Sequence, residues 1–249
     1  ATNQIYQNAE EFYRAENGHA IGYFWGYKTA GIFQSQQDIN NWIAAGNGVL
    51  QSNVQPGDVK YVDVNHDGAI NANDKVDLGN GLPKYTFGFN FTLGYKGFDL
   101  SANFTGAAGF QIAQSYRDPS GSQGNYSHRI LGRWTGEGTT NEMPRVTYGD
   151  VGNWLFSDLY LQDGDYIRLQ NLTLGYDFKK LISWKGLSKL RLYFQVQNLF
   201  TLTKYDGMDP EIGSYNGTDG NSSDSWVSGV DMGYYPHPRT FIVGVNVAF

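Results

Sequence analysis

Thr240-Phe-Ile-Val-Gly-Val-Asn-Val-Ala-Phe249 (TFIVGVNVAF) is the stretch that decides how this chain is read. Phe241, Val243, Val245, Val247 and Phe249 fall on one side of an extended strand, and Thr240, Gly244, Asn246 and Ala248 fall on the other. Ile242 is the one large apolar exception on the second side. Side chains alternate across a strand with period two, so the segment is apolar on one face and small or polar on the other.

The same alternation recurs upstream. Tyr85, Phe87, Phe89, Phe91, Leu93 and Tyr95 oppose Thr86, Gly88, Asn90, Thr92 and Gly94. Phe98, Leu100, Ala102 and Phe104 oppose Asp99, Ser101, Asn103 and Thr105. Leu172, Leu174, Tyr176 and Phe178 oppose Asn171, Thr173, Gly175 and Asp177. Leu190, Leu192, Phe194 and Val196 oppose Arg191, Tyr193, Gln195 and Gln197. The spacing predicts strands over about 84–95, 97–108, 165–178, 189–200 and 240–249. Gly22–Phe33 and Val59–Val62 supply at most one or two more. Composition agrees with an all-β chain: 32 Gly, 18 Tyr, 15 Phe and 6 Trp accompany only 17% charged residues, a mixture that favours strands and turns over helices.

A net charge of −6 over 249 residues offers no basic stripe for phosphates, which excludes a nucleic-acid partner. Zero cysteines exclude a disulfide framework and a thiolate metal site. No run of about 18 apolar residues is present for a transmembrane helix, but a transmembrane barrel has no such run either, because its signal is spread over short alternating segments.

Connection lengths favour a barrel over a soluble sandwich, a choice that alternation alone leaves open. Lys96-Gly97 is a tight turn and Lys179–Ser188 a moderate one, whereas 109–164 and 203–239 are long, polar and rich in Gly, Asn and Ser. Outer-membrane barrels alternate short periplasmic turns with long extracellular loops. With a periplasmic carboxy terminus, counting back from Phe249 puts both long connections outside and both short ones inside. Tyr95, Phe98, Tyr176, Phe178, Trp184 and Phe249 then gather at the periplasmic interface, where amphipathic rings are favoured. Five strands fall short of the minimum of about eight for closure, and an open edge in lipid leaves backbone groups unsatisfied. The chain therefore reads as part of a larger barrel. Its amino terminus, ATNQIYQNAEEFYR, has neither a basic start nor an apolar core and does not read as a signal peptide. Residues 1–83 are expected to form an extracellular loop region with early strands.

The sharpest local motif lies in that region. Residues 63–74 (DVNHDGAINAND) fit D-x-[DN]-x-[DN]-G, with apolar Ile70 at loop position eight and a carboxylate at twelve. Asp63, Asn65, Asp67, the Ala69 carbonyl and Asp74 are the candidate calcium ligands, with Asn71 acting through water. The competing reading is a polar turn held by Asx hydrogen bonds without metal. No helix is expected after it, since Leu78–Pro83 leads into a strand. Catalytic signatures are missing: His19, His66, His128 and His237 are scattered, and no P-loop or G-x-S-x-G elbow occurs. The loop acids Asp206, Asp209 and Glu211 read as solvated, so no enzymatic activity or organic cofactor is expected. Trp134, Trp154, Trp226, Tyr234 and Tyr235 lie in the long connections as candidates for stacking on a ligand, for packing the loops, or for a protein interface.

Gly22–Phe33, Gly57–Tyr61, Asp63–Gly68, Pro83–Gly88, Arg133-Trp-Thr135, Pro144-Arg145, Tyr166–Tyr176, Gln197–Phe200 and Asp209-Pro-Glu211 follow one another along the chain. This series resembles the carboxy-terminal region of SusC-like TonB-dependent transporters of the Bacteroidetes outer membrane (the SusC/RagA family). The resemblance implies the last strands of an antiparallel transmembrane β-barrel of about 22 strands with a plugged lumen. It further implies a SusD-like surface lipoprotein acting as a lid, energy delivered by TonB-ExbB-ExbD, and import of oligosaccharides or, in some members, peptides. The family's plug, TonB box and the earlier strands of its barrel are not in this sequence. A soluble calcium-stabilised β-sandwich that recognises glycans is the competing class.

Overall fold

The computed structural model describes residues 12–115, 128–147, 149, 152–213 and 228–249. The chain divides into two compact units.

One unit holds residues 83–110, 163–211 and 234–249 and is built on a five-stranded sheet. Its strands are β6 (Tyr85–Tyr95), β7 (Phe98–Ala108), β10 (Tyr166–Asp177), β11 (Lys189–Thr203) and β13 (Thr240–Ala248), in spatial order β13-β11-β10-β7-β6. All four pairings are antiparallel. The β6–β7 hairpin turns on Lys96 and Gly97 with φ of 49° and 99°, the doubly left-handed geometry that matches the twist of the flanking strands. Between β10 and its neighbours the register shifts between Leu169 and Asn171. Across that shift Gln170 is the extra residue against β7, while on β11 the additional residue coincides with Asn198, whose φ is 50°. This is a β-bulge that keeps each face consistent on either side of the break.

Register collects the alternating residues into two continuous faces. Phe91, Ala102, Leu172, Val196 and Phe241 line up across all five strands, as do Leu93, Leu100, Leu174, Phe194 and Val243. On the opposite face Thr92, Ser101, Thr173, Gln195 and Ile242 form one row, so the apolar exception of the last strand sits among polar neighbours. The apolar face is open: Phe89 is 59% and Val243 71% exposed, and Phe194, Phe241, Val245 and Val247 are exposed with them. A sandwich would bury that face under a second sheet; a strand wall in lipid presents it outward.

The other unit holds residues 1–82, 111–162 and 212–233. Among its described residues are β1 (Tyr13–Arg14), β2 (Tyr23–Tyr27), β3 (Thr29–Ile32), helix α1 (Gln36–Ala44), β4 (Val59–Tyr61), β5 (Lys75–Asn80), β8 (Gln111–Gln114) and β12 (Val230–Asp231). β9 (Leu161–Asp163) extends one residue beyond its boundary. Sheets form in the orders β1-β2-β5, β3-β4 and β12-β8-β9. Tyr13, Phe24, Ala113 and Val230 close one apolar core, and Tyr27, Val59 and Tyr61 another. The first core takes residues from all three parts of the sequence, and Leu155 and Leu159 from 111–162 pack on the second, which is why no single part reads as a domain by itself. Helix α1 was not anticipated. Ser35 caps it by accepting from Asp38 N, and the Asp38 carboxylate accepts from Gln34 N (2.9 Å) and pairs with Lys60 (2.7 Å). Burial pushes the Asp38 carboxyl up, but its bonds from Lys60 and Gln34 outweigh this and hold it below the usual carboxylate value.

Candidate functional site

In the five-stranded unit the polar face carries the charged chemistry. Asp99 on β7 and Arg191 on β11 belong to strands separated by β10, and they meet above Gly175 of that middle strand. Arg191 Nε donates to Asp99 Oδ1 (2.8 Å) and Nη2 donates to Oδ2, a bidentate fork that fixes both direction and distance. Gln195 Nε2 donates to Asn171 Oδ1 (3.1 Å) further along the same face. The rings at the turn end of the sheet cluster by contact: Phe98 and Tyr176 have centroids 4.4 Å apart, Tyr176 and Phe178 4.9 Å, and Trp184 and Phe249 6.1 Å.

At the loop end lies a group that the sequence reading missed. Arg168 is 3% exposed in its side chain and bonds Asp209 and Glu211 (2.8 Å); Asp209 also accepts from His237 N (3.0 Å). Asp209 is thus buried, contrary to its reading as a solvated loop acid. Burial pushes its carboxyl up, but bonds from the His237 and Glu211 backbone, the His237 ring and the Arg168 guanidinium outweigh this and hold it below the usual carboxylate range. The signal available in sequence was one arginine in a strand that otherwise alternates cleanly.

In the other unit the calcium-type loop is organised by its own backbone. Asp63 accepts from Asp67 N (3.3 Å) and Gly68 N (2.7 Å), Asn65 from Asp67 N (3.0 Å), and Asp67 from Ala69 N (2.9 Å). Asp74 is fully buried and accepts from Val64 N (3.0 Å) and Asn71 N (2.8 Å), and Ile70 packs against the Tyr27–Val59–Tyr61 core. Among the described residues no group of three or more His, Cys, Asp or Glu side chains is gathered in an arrangement that holds a metal. The donor set is all oxygen, as calcium requires, and a carboxylate has about four lone-pair sites, so these bonds leave acceptor capacity on Asp63 and Asp67.

The aromatic candidates separate. Trp154 is buried and packs edge-on to Tyr160 (6.1 Å), whose hydroxyl donates to the Trp154 carbonyl (2.7 Å); both rings line a cavity of about 220 Å³ with Phe12, Phe156 and Val230. Trp134 is half-buried and donates from Nε1 to Gln34 Oε1 (3.2 Å). Tyr234 and Tyr235 are exposed, the latter at 88%. Trp226 lies outside the described residues. Two motifs far apart in sequence also join: the buried Asp58 carboxylate accepts from Arg145 Nε (2.6 Å) and Asn153 Nδ2 (2.8 Å), and Arg145 N donates to Gly57 O (2.9 Å).

No family model matches the chain. Individual proteins do. TonB-dependent receptor P3 of Formosa agariphila is 34% identical over 234 residues, covering 93% of this chain and 22% of that protein. TonB-dependent receptor SusC of Bacteroides thetaiotaomicron is 27% identical over 205 residues, covering 81% of this chain and 18% of that protein. This chain is a relative of the SusC-like TonB-dependent receptors. It spans about a fifth of the length of these relatives. In fold this SusC-like chain follows the solved RagAB peptide transporter, with a TM-score of 0.69 at 20% identity over 98% of this chain and 25% of that one. The RagAB peptide importer in its open-open state gives a TM-score of 0.67 at 19% identity, again over 98% of this chain. The five-stranded sheet of the SusC-like chain accordingly shares its fold with the matching quarter of that barrel protein.

Proposed function

We propose that this chain forms part of the wall and outer loops of a TonB-dependent importer in the outer membrane of a Gram-negative bacterium, with Phe249 on the periplasmic side. In the intact protein a plug fills the lumen, a SusD-like lipoprotein covers the mouth, and TonB-ExbB-ExbD supplies energy through a region outside this chain. The observation that carries this reading is the sheet whose open face is a continuous apolar surface and whose other face holds Asn, Gln, Thr and an Asp99–Arg191 pair. Such a sheet suits a wall between lipid and a polar lumen. The relation to SusC-like receptors supports the same reading.

The cargo we assign is an oligosaccharide. Exposed Tyr234 and Tyr235 supply rings of the type that stack on sugars. A peptide cargo is the second reading, favoured by the likeness of fold to a transporter described as a peptide importer. Uptake of labelled oligosaccharides and of labelled peptides by cells carrying or lacking the intact gene tests the choice. Gene-dependent uptake of oligosaccharides alone is expected; gene-dependent uptake of peptides alone overturns the assignment.

The Asp63–Asp74 loop is read as a structural calcium site, held by Asp63, Asn65, Asp67, the Ala69 carbonyl and Asp74. The ion would tie the ends of the loop together beside the Ile70 contact. Terbium luminescence sensitised by neighbouring tyrosines, displaced by calcium and lost in Asp63→Ala, is the expected result. An equal terbium signal in Asp63→Ala would remove the site.

A further inference from the structure

Arg168 lies on the polar face of β10, and all three of its guanidinium nitrogens are engaged. Nε donates to Thr201 Oγ1 on β11 (2.9 Å), Nη1 to Glu211 Oε2 (2.8 Å) and Nη2 to Asp209 Oδ1. Asp209 is equally committed. Its Oδ1 also accepts from Glu211 N (2.9 Å), while Oδ2 accepts from His237 N (3.0 Å) and lies 2.9 Å from His237 Nδ1. One carboxylate therefore touches both ends of the segment 210–236, and one buried guanidinium ties that carboxylate to two strands of the sheet. The neighbouring excursion is closed at the same end of β10. Asp165 Oδ1 accepts from Gly109 N (2.6 Å), Gly164 N donates to Phe110 O (3.0 Å), and Thr203 Oγ1 donates to Asp165 O (2.8 Å).

We propose that Arg168 and Asp209 are a clamp that fixes both roots of the segment 210–236 to β10 as a closed ring, so that the roots stay in place whatever the tip of the segment contains. Arg168 is a positioning residue: it acts on the segment through Asp209. The energetics favour such a division. The entropic cost of closing a loop grows only with the logarithm of its length, whereas charge-assisted bonds in a buried setting are strong and lose that strength together when one partner is removed. A clamp of fixed strength can thus hold roots for tips of very different length and sequence. The ring is a property of the wall and does not depend on which cargo the intact protein carries.

Hydrogen–deuterium exchange of the intact protein in lipid vesicles tests the clamp without any uptake measurement, so its failure is separable from failure of the import reading. Arg168→Lys keeps the charge but loses the fork, and Asp209→Asn keeps the shape but loses the charge. Each is expected to accelerate exchange at both the Glu211 and the His237 amides by about tenfold or more, the factor set by loss of one hydrogen bond to a charged group. The double variant should be no faster than the more severe single one, with β6 and β7 unchanged. Replacing residues 216–225 by a Gly-Ser linker should leave both roots protected. Loosening of only one root in the single variants, or loosening of both by the tip replacement, overturns the clamp. Where the two charge variants do not insert, His237→Ala supplies the test: faster exchange at residue 237 with Glu211 unchanged is expected, and an unchanged residue 237 contradicts the proposal.

Discussion

Asp99 and Arg191 stand on strands that are not neighbours, and their fork closes over the one residue of the intervening strand that has no side chain. A Cβ added to Gly175 would lie 2.5 Å from Arg191 Nε and 2.6 Å from Asp99 Oδ1. The pair therefore depends on glycine at 175 as directly as on its own charges.

Gly175→Ala should break the fork, because both of its ends are held and neither can move away without losing a bond. Overpacking of this kind costs about 1–3 kcal/mol. Thermal unfolding of the intact protein in detergent checks it. The Asp99→Asn variant should lose less on top of Gly175→Ala than it loses alone, since the two changes remove one interaction.

The apolar face should reject charge according to depth. Phe89→Arg, near the middle of β6, is expected to destabilise the intact barrel by about 2–4 kcal/mol in lipid, while Asn90→Arg on the other face has a much smaller effect. Reversible folding into vesicles across a denaturant series measures both.

Removing Asp58 should be felt. Its carboxylate is fully buried and receives Arg145, Asn153 and Gln55 N, so Asp58→Ala leaves the buried Asn153 amide and the part-buried Arg145 guanidinium without their acceptor at a cost of about 1–3 kcal/mol. Exchange at the Phe33 and Val59 amides, which bond Asp58 O and Asn153 Oδ1, should rise together. Ser35→Ala should cost only about 1 kcal/mol, the worth of a helix cap.

Acid should release the segment ends held by Asp209. The carboxyl is held below its usual value in the folded protein, so its contribution is fully present above about pH 4, the ordinary carboxylate value, and is lost as pH falls through the lower folded value. Exchange at the Glu211 and His237 amides, corrected for intrinsic rate, should stay flat from neutral pH to about 4 and rise below it. The rise should be missing in Asp209→Asn.

The long strands were legible because each face of the sheet has a uniform surrounding, so that period-two alternation survives over ten or more residues, as from Tyr85 to Tyr95. The bulge at Leu169/Asn171 was hidden inside a run that still looked continuous. The second unit was not legible for a different reason. β1 and β12 are two residues each, too short for any period to show, and Phe24 is buried only because Ala113 and Val230 arrive from distant parts of the chain. Helix α1 did leave a trace in Ser35 and Asp38 at cap spacing, but its face of Gln and Asn carries little apolar pattern. The Arg168–Asp209 contact joins residues separated by 41 positions; sequence displays both partners but not their meeting.

The two-sided wall is tested most directly by spin labels at Phe89 and Asn90 of the intact protein in lipid. The label at 89 should be relaxed by oxygen dissolved in the bilayer and shielded from a water-soluble nickel complex, and the label at 90 should show the reverse. A label at 89 that is freely accessible to the nickel complex would contradict the assignment of this sheet to a membrane wall.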